Sequence, residues 1–142
     1  MIVKAYKGKL SLEEIKRLAS KNIYVFNPNC VVGKEHLIYA YKKAKDAFKK
    51  GKNIAREFHI ELMLILTGRR QIDDALSLAS LEYSKGFVAI SEKDFDLPYP
   101  REDGLIECRE EKLEHLGINV RVRRDKLCDL AFENSALIEL QR

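Results

Sequence analysis

Apolar positions near the start of the chain recur with the periods of a strand and then of a helix. Residues 1–8 alternate and predict a short strand. Ser11, followed three residues later by Glu14, forms a capping box, which predicts a helix over 11–20. The buried stripe of this helix is predicted to comprise Leu12, Ile15, Leu18 and Ala19.

A second strand and a longer helix follow. The segment "NIYVFN" at 22–27 predicts a strand, and the turn residues "NPN" at 27–29 predict its end. From Lys34 to Lys50 the apolar period is helical, and Gly51 supplies a stop. The shared apolar face of this helix consists of Leu37, Tyr41, Ala44 and Phe48.

The densest apolar stretch of the chain lies just before residue 67. Apolar residues spaced by fours predict a helix that Asn53 caps: Ile54, Phe58, Leu62 and Leu66. A buried strand over 60–66 is the alternative, because short apolar runs do not distinguish the two. The helical pattern begins six residues before that run, which favours the helix. Near its end this predicted helix is apolar on almost every side, so we expect it to be the central helix of the domain.

The second half of the chain continues the mixture of helices and strands. Its predicted elements are a helix at 71–80, a strand at 85–91, a loop at 95–104, a helix at 105–117, a strand at 118–123 and a final helix at 125–141. Interspersed helices and short strands predict an α/β chain of the mixed α+β kind. We expect a single domain over 1–142, with a small mixed β-sheet flanked by several helices.

Composition narrows the class of protein only moderately. Of the 142 residues, 46% are hydrophobic and 34% charged, which is typical of a globular protein. Lys and Arg exceed Asp and Glu by 26 to 22, an excess that permits an acidic partner such as RNA without requiring one. No secretory signal is expected, and the longest apolar run is far shorter than the ~20 residues that span a bilayer. We expect a cytoplasmic protein with no membrane partner.

The cysteines and histidines give no catalytic or metal-binding pattern. The three cysteines (30, 108 and 128) are odd in number and widely spaced, which predicts buried, reduced thiols with neither a disulfide framework nor a zinc site. His36, His59 and His115 fall on separate predicted helices, none with a second ligand at metal-binding spacing. No nucleophile elbow, glycine-rich phosphate loop or H-E-x-x-H motif is present. The sequence therefore predicts a non-enzyme without cofactor or metal, whose histidines are surface or partly buried polar residues.

Two basic patches each have two interpretations. The lysines at 42, 45, 49 and 52 recur on one face of the predicted helix, where ammonium groups can follow a phosphate backbone. A solvated face of an amphipathic helix is the more common explanation of such a stripe. On the predicted strand at 118–123, Arg121 and Arg123 share a face that Arg124 and Lys126 extend. The alternative for these arginines is an exposed strand face, whose charges prevent aggregation.

The segment "TGRRQI" at 67–72 is the sharpest feature, because it ends the apolar helix and starts the next one. Gly68 can adopt the left-handed turn that stops a helix, and Arg69 and Arg70 can bond the last carbonyls or the aspartates that follow. Alternatively, both guanidiniums and the Gln71 amide converge on an anion such as a terminal phosphate. A DNA-reading helix-turn-helix is not favoured, because acids lead the second helix.

The longer segment "LTGRRQIDDAL" at 66–76 resembles the small accessory subunits of the KEOPS complex, the family whose animal member is the PRPK-binding protein TPRKB. The order of the other elements is similar over nearly the full chain, as for an archaeal member. The resemblance implies a non-enzymatic subunit of the machinery that makes threonylcarbamoyladenosine in tRNA. It also implies two partners, namely the atypical kinase/ATPase subunit and the 3′ CCA end of tRNA.

The resemblance implies residue roles as well. For tRNA it implies Arg69, Arg70 and Gln71, to which helix geometry adds Arg56 and His59, and the lysine stripe adds Lys42, Lys45 and Lys49. A stacking aromatic is also expected, with Phe58 and Tyr24 as candidates. Candidates for the kinase are apolar residues that cannot all face a small core: Ile72, Leu76, Leu78, Leu137, Ile138 and Leu140. Core packing is the alternative for each of them. The competing functions are an interaction adaptor without RNA contact and an enzyme of unknown type.

Overall fold

The computed structural model describes residues 1–117, which form a three-stranded sheet with five α-helices. In chain order the elements are β1 (Ile2–Lys7), α1 (Leu12–Ser20), β2 (Tyr24–Phe26), a 3₁₀ turn (Pro28–Cys30), α2 (Lys34–Lys49), α3 (Phe58–Thr67), α4 (Ile72–Ala79), β3 (Gly86–Ser91), a second 3₁₀ turn (Asp103–Ile106) and α5 (Glu110–His115). This arrangement confirms the predicted α+β class. The predictions that fall beyond residue 117 lie outside the described residues: the strand at 118–123, the final helix, the basic patch from Arg121 to Lys126, and Leu137, Ile138 and Leu140.

The sheet has the strand order β1-β3-β2, with β3 in the centre. Both pairings among the described strands are antiparallel, so the sheet that was expected to be mixed is antiparallel over this part of the chain. Val3 and Tyr24 are both paired with Ile90, and all six residues of β3 are buried. The burial explains why "GFVAIS" is continuously small or apolar rather than alternating.

Helix α3 is the centre of the apolar core. Every residue of 61–67 is buried, and α3 packs against both α2 and α4. The helical interpretation of this stretch is therefore confirmed over the alternative strand. A helix that is apolar on all sides is stable only when other elements cover each side, which is what α2, α4 and the sheet do here.

The start of α3 differs from the prediction. The helix begins at Phe58 rather than near Asn53, and Ile54 lies in the preceding loop with 46% of its surface exposed. Glu61, a fully buried acid, holds this loop against the first turn of α3, because its Oε1 accepts hydrogen bonds from the backbone N–H groups of Ile54 (2.9 Å) and Ala55 (3.0 Å). The side-chain amide of Asn53 donates to the carbonyl of Ala55 at 2.7 Å instead of capping a helix.

Two further helical predictions need correction. Leu12 was placed in the buried stripe of α1 but is 66% exposed, although the capping box of Ser11 and Glu14 is present. Helix α5 begins at Glu110 rather than at residue 105. The ammonium group of Lys112 donates to the carbonyl oxygens of Leu105 (2.6 Å) and Val31 (2.7 Å), so the Leu105 carbonyl serves as a tertiary contact.

The cysteines and one histidine also differ from expectation. Cys108 is disulfide-bonded, so the prediction of reduced thiols is wrong for this position. Cys30 is free and buried, as predicted, and burial raises the pKa of its thiol to about 12. His36 is fully buried rather than at the surface, and its Nδ1 accepts a hydrogen bond from the backbone N–H of Val32 at 3.1 Å.

Acidification from pH 7 to pH 4 should destabilise the protein partly through His36. Burial lowers the pKa of His36 from 6.5 to about 4, so the unfolded chain binds a proton in this range that the folded chain does not. The stability is therefore lost as the pH falls through 6.5 and levels off near 4, by roughly 3 kcal/mol for this group. Urea unfolding at several pH values measures the slope. His36→Asn, which keeps an acceptor near the Val32 N–H, should flatten it, and an unchanged slope would refute the assignment.

Candidate RNA and partner interfaces around helix α4

The turn between α3 and α4 is a rigid helix stop, as the sequence predicted. Gly68 adopts the left-handed conformation (φ 68°), and its N–H donates to the carbonyl of Ile65 at 3.2 Å. The N–H of Arg69 donates to the carbonyl of Leu64 at 3.0 Å. Thr67 closes the same turn through its hydroxyl, which donates to the carbonyl of Met63 at 2.7 Å. The buried apolar helix thus holds the backbone of the turn in a fixed place.

The three polar side chains after Gly68 point to different surroundings. Arg69 is half-buried, and its Nη2 donates to the carbonyl of Leu116 at the end of α5, at 2.8 Å. Arg70 and Gln71 are exposed. Gln71 occupies the N-cap of α4 but forms no side-chain capping bond there. Arg69 is therefore half-buried and bonded to the end of α5, while the two side chains that follow it are exposed.

A surface pocket lies beside this turn, between the loop before α3 and the start of α4. It has a volume of about 380 Å³. We call it the α3–α4 pocket, and its lining residues are Ile54, Ala55, Arg56, Glu57, Ile60 and Ile72. Ile54 and Ile72 are 46% and 39% exposed, and Arg56 is exposed as well. An apolar concavity with a guanidinium at its edge suits a flat base attached to a phosphate.

His59 and the two candidate aromatics face the core. The Nε2 atom of His59 lies 3.1 Å from the carbonyl of Val25, and its ring centroid is 5.3 Å from that of Tyr24. Burial lowers the pKa of His59, so the neutral ring donates this hydrogen bond at neutral pH. The ring of Phe58 packs between Tyr24 and Tyr41, with both centroid distances at 5.1 Å. These three side chains reinforce the contact of α3 with the sheet and α2.

The side chains of the lysine stripe are only partly available to a binding partner. Lys42 and Lys49 are exposed on α2, whereas the ammonium group of Lys45 bonds to the carboxylate of Glu92. The rings of Phe48 near the end of α2 and Phe58 at the start of α3 are 5.6 Å apart, so these two helix ends are neighbours. Lys49 is therefore on the same end of the helical pair as the loop that carries Arg56.

A second and larger concavity lies between α1 and α4. This α1–α4 groove has a volume of about 660 Å³. It is lined by Lys9, Leu10, Leu12, Ile15, Val25, Met63, Leu76, Ala79, Ser80, Leu81 and Glu82. Leu12 and Leu76 are 66% and 40% exposed. Large exposed apolar side chains that share one concavity are typical of a protein-binding surface.

The predicted partner residues on α4 are distributed over three environments. Ile72 lines the α3–α4 pocket, Leu76 lines the α1–α4 groove, and Leu78 is half-buried against the core. Sequence reasoning did not single out Ile54 or Leu12, because helical spacing assigned both to buried faces. A test for a helix start displaced by one turn would have identified Ile54, since α3 begins at Phe58. Leu12 is the first residue of α1, where a side chain can face solvent although the helical spacing assigns it to the buried face.

Residues 1–117 contain neither a cluster of metal ligands nor a helix that could span a membrane. No group of three or more His, Cys, Asp or Glu side chains in this part of the chain is placed to hold a metal ion. Similarly, no helix within the described range is long and apolar enough to cross a bilayer.

Comparison with known proteins gives two matches. The family model described as "Kinase binding protein CGI-121" matches residues 8–136. The "Regulatory protein Cgi121" of Methanocaldococcus jannaschii is 26% identical over 149 aligned positions, which cover 100% of this chain and 99% of that protein. The region matched by the family model contains the turn at 68–71, all five described helices, the α3–α4 pocket and the α1–α4 groove.

Proposed function

We propose, since this chain belongs to the CGI-121 family of kinase-binding proteins, that it is a non-catalytic KEOPS subunit that connects the atypical kinase/ATPase of that complex to tRNA. Its relative in M. jannaschii is named a regulatory protein, which supports a role without chemistry of its own. Such a protein needs two separate surfaces, one apolar for the protein partner and one with positive charge for the nucleic acid.

The observation that carries the RNA half of the proposal is the α3–α4 pocket next to an arginine-containing turn. Its apolar lining of Ile54, Ile60 and Ile72 accepts an unstacked base of a single-stranded end, and Arg56 binds the adjoining phosphate. Arg70 and Gln71 directly precede α4 and are exposed, so they extend the contact along the strand. The ligand in this proposal is the 3′ CCA end of tRNA.

The more distant residues of the predicted RNA surface have supporting roles in the proposal. Lys42 and Lys49 are exposed cations that attract the tRNA backbone in a salt-dependent manner. Lys45 joins them when the partner phosphate competes with Glu92. His59 has an indirect role, because its hydrogen bond to the carbonyl of Val25 holds α3 to the sheet.

The kinase half of the proposal uses the α1–α4 groove. Leu76 of α4 and Leu12 of α1 are exposed and line this groove together with Leu10 and Ile15, which suits an amphipathic helix or an apolar edge of the kinase. Ile72 lines the other concavity, so α4 contributes a side chain to each of the two proposed binding sites. Leu78 stabilises α4 from below, and Leu137, Ile138 and Leu140 remain candidates for the same partner.

Replacing both Arg56 and Arg70 by alanine should weaken tRNA binding about 30- to 1,000-fold, since each charged contact contributes roughly 1–2 kcal/mol. The loss should be much smaller for tRNA that lacks its CCA end. Gel shifts over a salt series measure both affinities. The matched control is Arg17→Ala, which removes an exposed arginine from α1 and should bind like the wild type. A folded double variant that binds full-length tRNA normally would refute the RNA assignment.

One observation favours the alternative function of an adaptor without RNA contact. Basic side chains of the predicted RNA surface are engaged within the protein, Arg69 with Leu116 and Lys45 with Glu92. The same gel shift separates the two functions, because an adaptor of this kind forms no CCA-dependent complex while it still binds the kinase.

A further inference from the structure

The side chain of Arg69 is oriented by the end of α5 rather than by solvent. Its Nη2 donates to the carbonyl of Leu116 at 2.8 Å, between residues 47 apart in the chain. The next residue, Gly117, has a left-handed conformation (φ 76°), and a Cβ atom there would lie 2.8 Å from Nη2. The guanidinium is therefore closely packed against a glycine, at a helix end whose free carbonyls favour a cation.

Helix α4 depends on hydrogen bonds to other elements because it has few buried side chains of its own. Only Ala75 and Ala79 of its eight residues are buried, and the Gln71 side chain does not cap it. Near the end of α4 another polar contact comes from α5, where the Nε2 atom of His115 is 2.9 Å from the carbonyl of Leu78. The thiol of Cys30 donates to the same carbonyl at 2.9 Å, and the side-chain amide of Asn27 donates to the carbonyl of Ser80 at 2.8 Å. Helix α5 thus holds α4 near its end through His115, and just before its start through Arg69.

From this geometry we infer that Arg69 is a positioning residue: it fixes the turn that presents Arg70 and Gln71 by bonding to the end of α5, and it does not itself contact the RNA. This inference rests on the proposed tRNA-binding function for its consequence, since a displaced turn lowers the affinity for RNA. Its structural core, the connection of Arg69 to α5, is independent of any ligand.

The first measurement tests that structural core without RNA. Amide hydrogen exchange of Arg69→Ala should increase about tenfold or more in residues 68–75 and 113–117 relative to the wild type, because both segments lose their common tie. Arg70→Ala is the matched control and should leave α5 unchanged. Unaltered exchange in Arg69→Ala would overturn the inference. If Arg69→Ala does not fold, Arg69→Lys, which keeps the charge but not the planar fork, takes its place with the same expectation.

The second measurement separates positioning from direct contact. The logarithm of the tRNA affinity falls linearly with the logarithm of the salt concentration, and each lost phosphate contact reduces the slope by about 0.7–0.9. We expect Arg70→Ala to reduce the slope and Arg69→Ala to weaken binding severalfold at unchanged slope. Gly117→Ala, which crowds Nη2 without removing a charge, should resemble Arg69→Ala.

The outcomes separate the inference from the function. A slope reduced by Arg69→Ala as much as by Arg70→Ala would show a direct contact and overturn the positioning role. Wild-type affinity in both Arg69→Ala and Gly117→Ala would overturn it as well. If the wild-type protein binds no tRNA at all, the proposed function fails, and the exchange measurement still decides whether Arg69 positions the turn.

Discussion

Replacing Leu76 by glutamate should abolish co-purification with the kinase, with a loss of affinity of roughly 100-fold or more. Leu76 is 40% exposed on the wall of the α1–α4 groove, so its substitution leaves the core intact. In the complex, however, a carboxylate at this position would be desolvated against apolar side chains, which costs several kcal/mol without a partner. Co-expression with the kinase followed by affinity purification, and calorimetric titration of the separate proteins, measure the effect.

Two neighbours on α4 provide the controls for this experiment. Ser77 is exposed on the same helix and does not line the groove, so Ser77→Glu should bind the kinase like the wild type. Leu78 is half-buried against the core, so Leu78→Glu should lower solubility and thermal stability instead. Normal kinase binding by a folded Leu76→Glu variant would place the docking surface elsewhere on the protein.

Replacing Glu61 by alanine should lower the free energy of unfolding by roughly 3–5 kcal/mol. This carboxylate is fully buried and accepts two backbone hydrogen bonds, from Ile54 at 2.9 Å and from Ala55 at 3.0 Å. Hydrogen bonds to a charged group contribute about 1.5–3 kcal/mol each, and truncation leaves both donors unsatisfied. The loop that carries Arg56 would lose its anchor, so tRNA binding should weaken in the same variant. Urea unfolding and amide hydrogen exchange of residues 53–57 measure the two effects.

The matched control for Glu61 is Glu57, an acid in the same connection to α3. Glu57 is exposed and forms no side-chain capping bond, so Glu57→Ala should change stability by no more than about 0.5 kcal/mol. A stability loss for Glu61→Ala below about 1 kcal/mol would show that other contacts hold the loop over α3.

Local sequence patterns predicted the described elements well, because their causes lie within a few residues. The capping box of Ser11 and Glu14, the stop at Gly68 and the acidic first turn of α4 are interactions between close neighbours in the chain. The continuous burial of residues 61–67 follows from a helix without a polar side. Family resemblance, carried by "LTGRRQIDDAL", was confirmed by the match to the CGI-121 family.

Predictions failed where a buried side chain competed with the local pattern through its contacts to the backbone. Spacing by fours placed Ile54 in α3, but Glu61, seven residues further on, bonds to the N–H groups of Ile54 and Ala55 and holds them in a loop. The helical pattern from residue 105 is similarly interrupted, because Lys112 bonds to the carbonyls of Leu105 and Val31. The spacing of apolar residues along the sequence does not reveal either contact. The strength of each contact depends on burial, which only the assembled fold creates.

The sequence alone determined that a basic turn follows a buried apolar helix. It also determined that the next element is a short helix with acidic residues in its first turn. Only the tertiary structure decided what the two arginines of that turn do. Arg70 is exposed, while Arg69 crosses to Leu116, a residue 47 positions away. It also decided that Arg56 and Ile72 share one pocket. Helical period and capping are properties of neighbouring residues, whereas a side chain's partner is set by which elements pack together, and that is fixed by the whole core.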